Sequence, residues 1–296
     1  MKYSIVIPTY NRIKDLESCL DSVNRQTKIP EEILIVDDGA VEVVFIEKWK
    51  NIFQSKNTTL RYYKKDHQKE RRGLSESKNI AINMVSHPVA FIFDDDLILE
   101  EKFCEEVMNV WENNVDQRLI GVGGLIINSR RVTVAEKIFH RFFGLSSKFN
   151  WDVNAVGYQV WDEGITKVEK SFYTHGGAGS LNIGVTKKIG FSTFSGGRTG
   201  LEDVDFCLRA KKEGYYFLIN PKAKTVHNQS PVAREKMFLL GVKESVNRKE
   251  IFKRLGQHDL MGMAWFAWAS LGWVIRQFLS FNFRKAFGMI AGFLKF

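Results

Sequence analysis

The chain has 296 residues, 44% of them hydrophobic and 26% charged, with a formal net charge of +9. That size suits one large domain or a domain with a substantial appendage, and the composition is ordinary for a globular protein. Its three cysteines, Cys19, Cys104 and Cys207, lie far apart without a CxxC pair, which argues against a cysteine zinc site or a disulfide framework and points to a reducing compartment.

A strand is expected almost at once, over Tyr3–Ile7, with Pro8 ending it. No secretory leader precedes it, so the catalytic part is expected in the cytosol. Thr9 to Arg12 reads as a loop, followed by a helix from about Lys14 to Gln26 with Leu16, Leu20 and Val23 on one face. Glu32–Val36 reads as a buried strand running into Asp37-Asp38-Gly39. An amphipathic helix through Phe45 and Trp49, a short strand at Leu60–Tyr63, a charged loop from Lys64 to Arg72 and a helix over Leu74–Val85 follow. The basic residues of that loop (Lys64, Lys65, Lys69, Arg71, Arg72) read mainly as a solvated face, with attraction of phosphates as the alternative.

The next stretch is Phe91-Ile92-Phe93-Asp94-Asp95-Asp96, an apolar run that stops at three carboxylates. Strand side chains alternate between faces, so the strand is expected to end at Phe93 with the aspartates on its exposed carboxyl end. Three such groups repel one another unless a cation offsets them, and Mg²⁺ or Mn²⁺ takes oxygen ligands readily. The competing reading is an acidic turn before a helix starting near Glu100. The DxDxT pattern of aspartyl phosphatases and the GxxxxGK[ST] phosphate loop are both missing. Alternating strands and helices imply a largely parallel sheet covered on both faces. Ligands of such sheets sit at the carboxyl ends of the strands, where Pro8 to Tyr10, Asp37-Asp38 and Asp94 to Asp96 all fall.

Further on, Gly121–Ile127 reads as a strand and Val134–Phe143 as an amphipathic helix. Trp151 and Trp161 suit either sugar stacking or core packing. His175 to Ser180 reads as a flexible glycine-rich turn open to a ligand, although its spacing is not a GxGxxG fingerprint. Gly196 to Gly200 reads as a mobile loop before Glu202-Asp203, which opens a helix; acids there also suit a helix amino end. Tyr215–Ile219 and Lys224–Val226 look strand-like, with His227 after them.

Beyond about residue 232 the pattern changes. A charged helix over Arg234–Leu255 is followed by sixteen uncharged residues, Leu260 to Ile275, and a shorter apolar run, Ala286 to Leu294. A spanning helix needs about 20 apolar residues. Lys243 to Phe296 carries nine basic residues against three acids, together with Trp265, Trp268 and Trp273. Basic charge mixed with aromatics suits nucleic acid or an anionic membrane; the long apolar runs favour the membrane and argue against nucleic acid. Interfacial amphipathic helices fit best, with spanning or re-entrant helices and packing on the domain or a second subunit as alternatives.

Four motifs in order, Ser4-Ile5-Val6-Ile7-Pro8-Thr9-Tyr10-Asn11, Val36-Asp37-Asp38-Gly39, Asp94-Asp95-Asp96 and Leu201-Glu202-Asp203-Val204-Asp205, resemble those of family 2 glycosyltransferases with the GT-A fold over roughly residues 3 to 230. The resemblance implies an α/β, Rossmann-like GT-A domain over 1–232, with a nucleotide-sugar half (1–100) and an acceptor half (101–232), and leaves 233–296 as a helical, membrane-associated tail. It implies an inverting, metal-dependent transfer from a nucleotide-diphosphate sugar, most simply a UDP-sugar, to an acceptor hydroxyl. The tail suggests a lipid-linked glycan or glycolipid acceptor at the cytoplasmic membrane face, with oligomers possible. By the same resemblance Pro8, Thr9, Tyr10, Asp38, Gly73, Lys78, Asn79, Asp94 and Asp95 would border the nucleotide, with Lys78 standing where family members more often have Arg. Asp96, Asp94 and His227 would hold Mn²⁺ or Mg²⁺. Asp203 would be the general base, with Glu202, Trp151, Trp161 and Gly177 on the acceptor side. Asn182 to Val185 matches a family strand behind the site. Two other classes are sugar-nucleotide nucleotidyl transfer, which usually needs a glycine-rich basic loop after the first strand that is not present, and a non-catalytic membrane-binding module, against which the intact Asp94, Asp96 and Asp203 argue.

Overall fold

The computed structural model describes residues 1–129, 132–162, 164–194, 200–230, 235–256 and 258–295. Its first part alternates: β1 (Tyr3–Thr9), α1 (Ile13–Asn24), β2 (Glu32–Asp37), α2 (Val43–Gln54), β3 (Thr59–Lys64), α3 (Leu74–Met84) and β4 (Val89–Phe93). Then come β5 (Leu97–Leu99), α4 (Phe103–Glu112), β6 (Leu119–Ile126) and α5 (Val134–Phe142). Short strands β7 (Asp152–Val153), β8 (Gln159–Val160) and β9 (Glu169–Ser171) lead into β10 (Ala178–Asn182), α6 (Ile183–Ile189), α7 (Glu202–Lys212) and the long β11 (Tyr216–His227). Three helices follow: α8 (Met237–Leu255), α9 (Leu260–Leu279) and α10 (Phe283–Leu294).

Among the described residues, one sheet runs in the order β3-β2-β1-β4-β10-β6-β11-β5, with β9 also on β11. The β3, β2, β1 and β4 strands are parallel; β10 runs against both β4 and β6. Alternate residues enter different cores, as the period of a strand requires. Ile5, Ile7, Phe91 and Phe93 pack under one face, and Val6, Leu34, Val36 and Ile92 under the other. The mixed, mainly parallel sheet was therefore readable from near-continuous apolar strands buried on both sides.

Several local expectations are corrected. Pro8 lies inside β1, not at its end. Thr9 O accepts the Asp38 N–H, so Thr9 faces β2 and the Pro8 ring nitrogen faces the other side, where the ladder to β4 stops at Val6 and no donor is missed. The helix expected from Glu100 starts at Phe103, because Leu97 and Leu99 are buried in alternation and pair with β11. Only Gly176 and Gly177 of the glycine-rich stretch form a turn; Ala178 onward is a central strand. Asn182 ends that strand and its side chain caps α6, so Ile183 to Val185 is helical. The two strand pieces near the carboxyl end of the domain are one strand whose register shifts between Ile219 and Lys224. The glycine loop at 196–199 and the start of the charged helix at Arg234 lie outside the described residues.

The tail helices pack on the domain. Arg248 of α8 is fully buried, donating to Gly157 O and Gln159 Oε1 with its guanidinium over the Tyr158 ring. From α9, Trp265 donates to Gly144 O and Ser270 Oγ accepts from Tyr158. Helix α10 closes on α8 through glycines: a Cβ on Gly288 would stand 2.1 Å from Phe238 O. No helix among the described residues is long and apolar enough to cross a membrane.

Candidate active site

The carboxyl ends of β1, β2, β4 and β11 and the start of α7 meet at one end of the sheet. The three aspartates after β4 are drawn inward, not left exposed as expected; Asp95 and Asp96 are buried. The chain turns at Asp95 and Asp96, giving the three carboxylates different neighbours. Asp94 N donates to Gly177 O at 3.0 Å, and a Cβ on Gly177 would fall 2.2 Å from the Asp94 carboxylate. Burial raises the Asp94 pKa, opposed by the Lys78 ammonium. Asp95 accepts from Thr9 Oγ1 at 2.7 Å and Arg12 Nη1 at 3.1 Å. Its burial outweighs those two donors and lifts its pKa to about 6. Asp96 Oδ2 accepts from Ser230 N at 3.0 Å. Burial acts to raise the Asp96 pKa, but the His227 imidazole, Ser230 N–H and Arg12 overcome it and hold the pKa below the usual value.

Asp94, Asp96 and His227 offer ligand atoms all within 4.8 Å of one another. His227 Nε2 lies 3.0 Å from Asp96 Oδ1. That oxygen is nevertheless buried without an aligned hydrogen bond, so the contact is an ion-pair distance with a lone pair still to be used. A buried carboxylate oxygen in that condition fits a shared cation.

On the donor side, Asp38 is buried and its Oδ2 accepts from Gly73 N at 2.8 Å. Gly73 sits at φ 127°, a backbone conformation that suits glycine. Asp38 Oδ1 lacks an aligned hydrogen bond, although Lys65 Nζ is 3.1 Å away. Tyr10 is half-buried directly after β1, next to the Thr9–Asp38 backbone link.

Asp203 opens α7, its Oδ1 accepting from Val204 N at 2.8 Å and its Oδ2 from Tyr173 OH at 3.1 Å. Burial raises its pKa, the Glu202 charge adds to that, and Lys78 opposes both. Glu202 is itself buried and paired with Lys78 Nζ at 2.8 Å. Gly176 fits against Asp203, where a Cβ would be 2.6 Å from the Asp203 Cβ, just as Gly177 fits against Asp94. One glycine dipeptide thus separates the two carboxylates.

Some expected contacts turn out to be internal. Lys78 is buried under the site as the partner of Glu202, whose carboxylate faces it. Asn79 clamps the Phe191 backbone through both amide atoms. Thr9 and Asp95 hold each other, Pro8 is buried in the sheet, and Trp151 is buried with its indole N–H on Asp162 O. Trp161 is half-buried, with Trp151, Tyr173 and Trp161 all set around the His175 ring. Arg12, Tyr173 and Ser230 were missed, and Lys65, read with its loop as a mainly solvated face, is buried beside Asp38. Neither Arg12, 83 residues from Asp95, nor Tyr173, 30 residues from Asp203, carried a local signal.

Residues 4–158 match the sequence pattern described as glycosyl transferase family 2. A protein of Haemophilus influenzae named as an uncharacterized glycosyltransferase is 32% identical over 112 residues, which is 38% of this chain and 35% of that protein. The chain therefore spans about a third of that relative's length. Among solved structures, the mannosyltransferase PcManGT from Pyrobaculum calidifontis, in complex with GDP-Man and Mn²⁺, superposes with a TM-score of 0.58 at 15% identity, covering 94% of this chain and 75% of that one. TarS of S. aureus with UDP-GlcNAc gives 0.52 at 16% identity, covering 94% and 73%. These likenesses show the fold, a GT-A-type mixed sheet.

Proposed function

Because the chain belongs to glycosyl transferase family 2, we propose that it transfers a sugar, with inversion, from a nucleotide-diphosphate sugar to an acceptor hydroxyl. The observation that carries this reading is the placing of Asp94 and Asp203 on the two sides of Gly176-Gly177. A carboxylate read as cation-binding and one read as proton-accepting thus flank one glycine dipeptide, beside the Lys78 ammonium that faces both.

On the donor side, the ring of Tyr10 lies against the nucleobase and Asp38 Oδ1 accepts from the base edge, which favours a pyrimidine and hence a UDP-sugar. Asp94, Asp96 and His227 would hold a divalent ion, and the imidazole tilts the set towards Mn²⁺ over Mg²⁺. Bound there, such an ion would supply positive charge against the departing diphosphate. GDP-Man with Mn²⁺ in the mannosyltransferase and UDP-GlcNAc in TarS support the donor class.

Asp203 takes the proton of the acceptor hydroxyl as that oxygen bonds to the anomeric carbon and the diphosphate leaves from the opposite face. Its two held oxygens fix the carboxylate plane, so one lone pair on each remains for the incoming hydroxyl. One displacement inverts the centre, and no enzyme nucleophile is required. The acceptor is read as a lipid-linked glycan or glycolipid at the cytoplasmic face of a membrane, on the strength of the basic, apolar tail. The test is nucleotide diphosphate release from UDP-sugars with a bacterial membrane-lipid extract as acceptor. Asp203→Asn should lower the rate by about 100-fold or more, with the wild-type product inverted at the anomeric carbon by NMR. A rate unchanged in Asp203→Asn, or a retained anomer, contradicts the mechanism.

A further inference from the structure

We propose that the outward apolar rows of α5, α9 and α10 form one surface by which the protein seats on an anionic phospholipid bilayer. This deepens the membrane setting proposed above and does not depend on the transfer chemistry. The sequence reading assigned the 134–143 helix to the acceptor side. In the structure α5 has two apolar faces. Phe139 turns inward and meets Phe143 of the small core under the tail. Val134, Ile138 and Phe142, spaced four apart on the other face, are exposed, Ile138 by 64% and Phe142 by 66%. A solvated helix has no need of such a row.

The row continues into the tail. The Phe142 ring lies 5.4 Å from that of Trp268, whose indole N–H donates to Phe142 O. Leu271, one turn further along α9, is also exposed. At the far end of α9, Phe278 meets Phe287 of α10 at 5.5 Å. Helix α10 packs Ala286, Gly288, Met289 and Gly292 inward and leaves Phe283, Phe287, Ile290 and Leu294 outward. Side-chain contacts thus join three exposed apolar rows from α5 through α9 to α10.

Charge decides what covers this surface. Exposed Arg141, Arg284 and Lys295 stand next in sequence to Phe142, Phe283 and Leu294. The acids of these helices, and Glu244 of the adjoining α8, are engaged elsewhere. Glu136 caps α5 and reaches Arg276, Glu244 is buried between Arg248 and Lys285, and Asp259 caps α9. A second copy of the chain would bring like charges together, whereas anionic headgroups complement them. With no helix among the described residues able to cross a bilayer, the helices lie in the interface with their apolar sides among the upper acyl chains.

The test is flotation of the full chain with vesicles of phosphatidylcholine alone and of phosphatidylcholine with phosphatidylglycerol. Binding is expected to the second kind and to weaken as salt rises. Ile138→Glu with Phe142→Glu, and separately Phe287→Glu, should each weaken it by about tenfold or more. These positions are exposed, so folding is checked by unchanged thermal melting and by nucleotide-dependent stabilisation equal to wild type. Three results overturn the surface: no flotation with either vesicle, variants that float as wild type does, or a solution dimer that Ile138→Glu with Phe142→Glu dissociates. Vesicle binding that follows the variants in a chain showing no nucleotide stabilisation would leave the surface standing and remove the donor site instead.

Discussion

In the proposed transfer Asp203 is the base, and its surroundings make its behaviour with pH testable. Burial and the neighbouring Glu202 raise its pKa, so the carboxyl keeps its proton to a higher pH than an ordinary aspartate. The ionised base then exists only above that raised value, and the rate should fall as pH drops through it. Tyr173 donates to Asp203 Oδ2 and so favours the ionised form. Tyr173→Phe removes this donor, and the acidic limb of the kcat/KM profile should move to higher pH; a limb that stays in place would show that Tyr173 does not act on the base. Gly177 is a second residue-scale case. Gly177→Ala places a methyl 2.2 Å from the Asp94 carboxylate, so Mn²⁺ affinity, read by titration of nucleotide-dependent stabilisation, should drop by about tenfold or more. The acidic triplet and the Glu202-Asp203 pair were legible because carboxylates at a strand end and a helix start stand out in a string. The partners that tune them were not, since Tyr173, Arg12 and Ser230 approach from 30, 83 and 134 residues away.

Elements were legible where one period dominates. The parallel strands and the first three helices follow their apolar spacing closely, and the stretches that misled were those where glycine changes its meaning with depth. Gly179, read as part of a flexible turn, lies in a central strand, where its missing side chain lets β10 pass close to β6. Gly288 is similar on a helix. In an exposed helix Gly→Ala would stabilise by roughly 1 kcal/mol. At Gly288 the added methyl meets Phe238 O at 2.1 Å and the carbonyl carbon at 2.9 Å, both backbone atoms that cannot rotate away. Overpacking of that kind costs about 1–3 kcal/mol, so Gly288→Ala should lower the melting temperature; a rise would show that α10 is not seated on α8 as described. Asn79 makes the same point for a polar residue: its place in a recognised motif suggested a ligand contact, and its two bonds to Phe191 make it a clamp between α3 and the segment after α6.

At the scale of the molecule, the sequence conveyed the α/β class and the gathering of the candidate site residues at the carboxyl end of the sheet. It did not convey how the tail is used. Composition could show that the last helices are apolar, aromatic and basic, but not which of their faces turn inward. Arg248, counted in the sequence as part of a basic tail, is fully buried against Tyr158 and Glu244. Replacing it by alanine would leave Glu244 buried with Lys285 as its remaining cation and should destabilise the whole protein by about 3 kcal/mol. A melting temperature unchanged in Arg248→Ala would mean that the tail folds apart from the domain. In the proposed function the sheet end, the triplet and His227 form one metal-dependent nucleotide site. Its most direct test is thermal melting with UDP, GDP, dTDP and CMP, each with Mn²⁺ and with EDTA, on wild type and Asp96→Ala. A ligand that binds only the folded chain at 100 times its Kd adds about 2.7 kcal/mol of stability. Stabilisation by a uridine nucleotide is expected, needing Mn²⁺ and lost in Asp96→Ala. No stabilisation by any nucleotide, or a shift unaffected by EDTA and by Asp96→Ala, would contradict it.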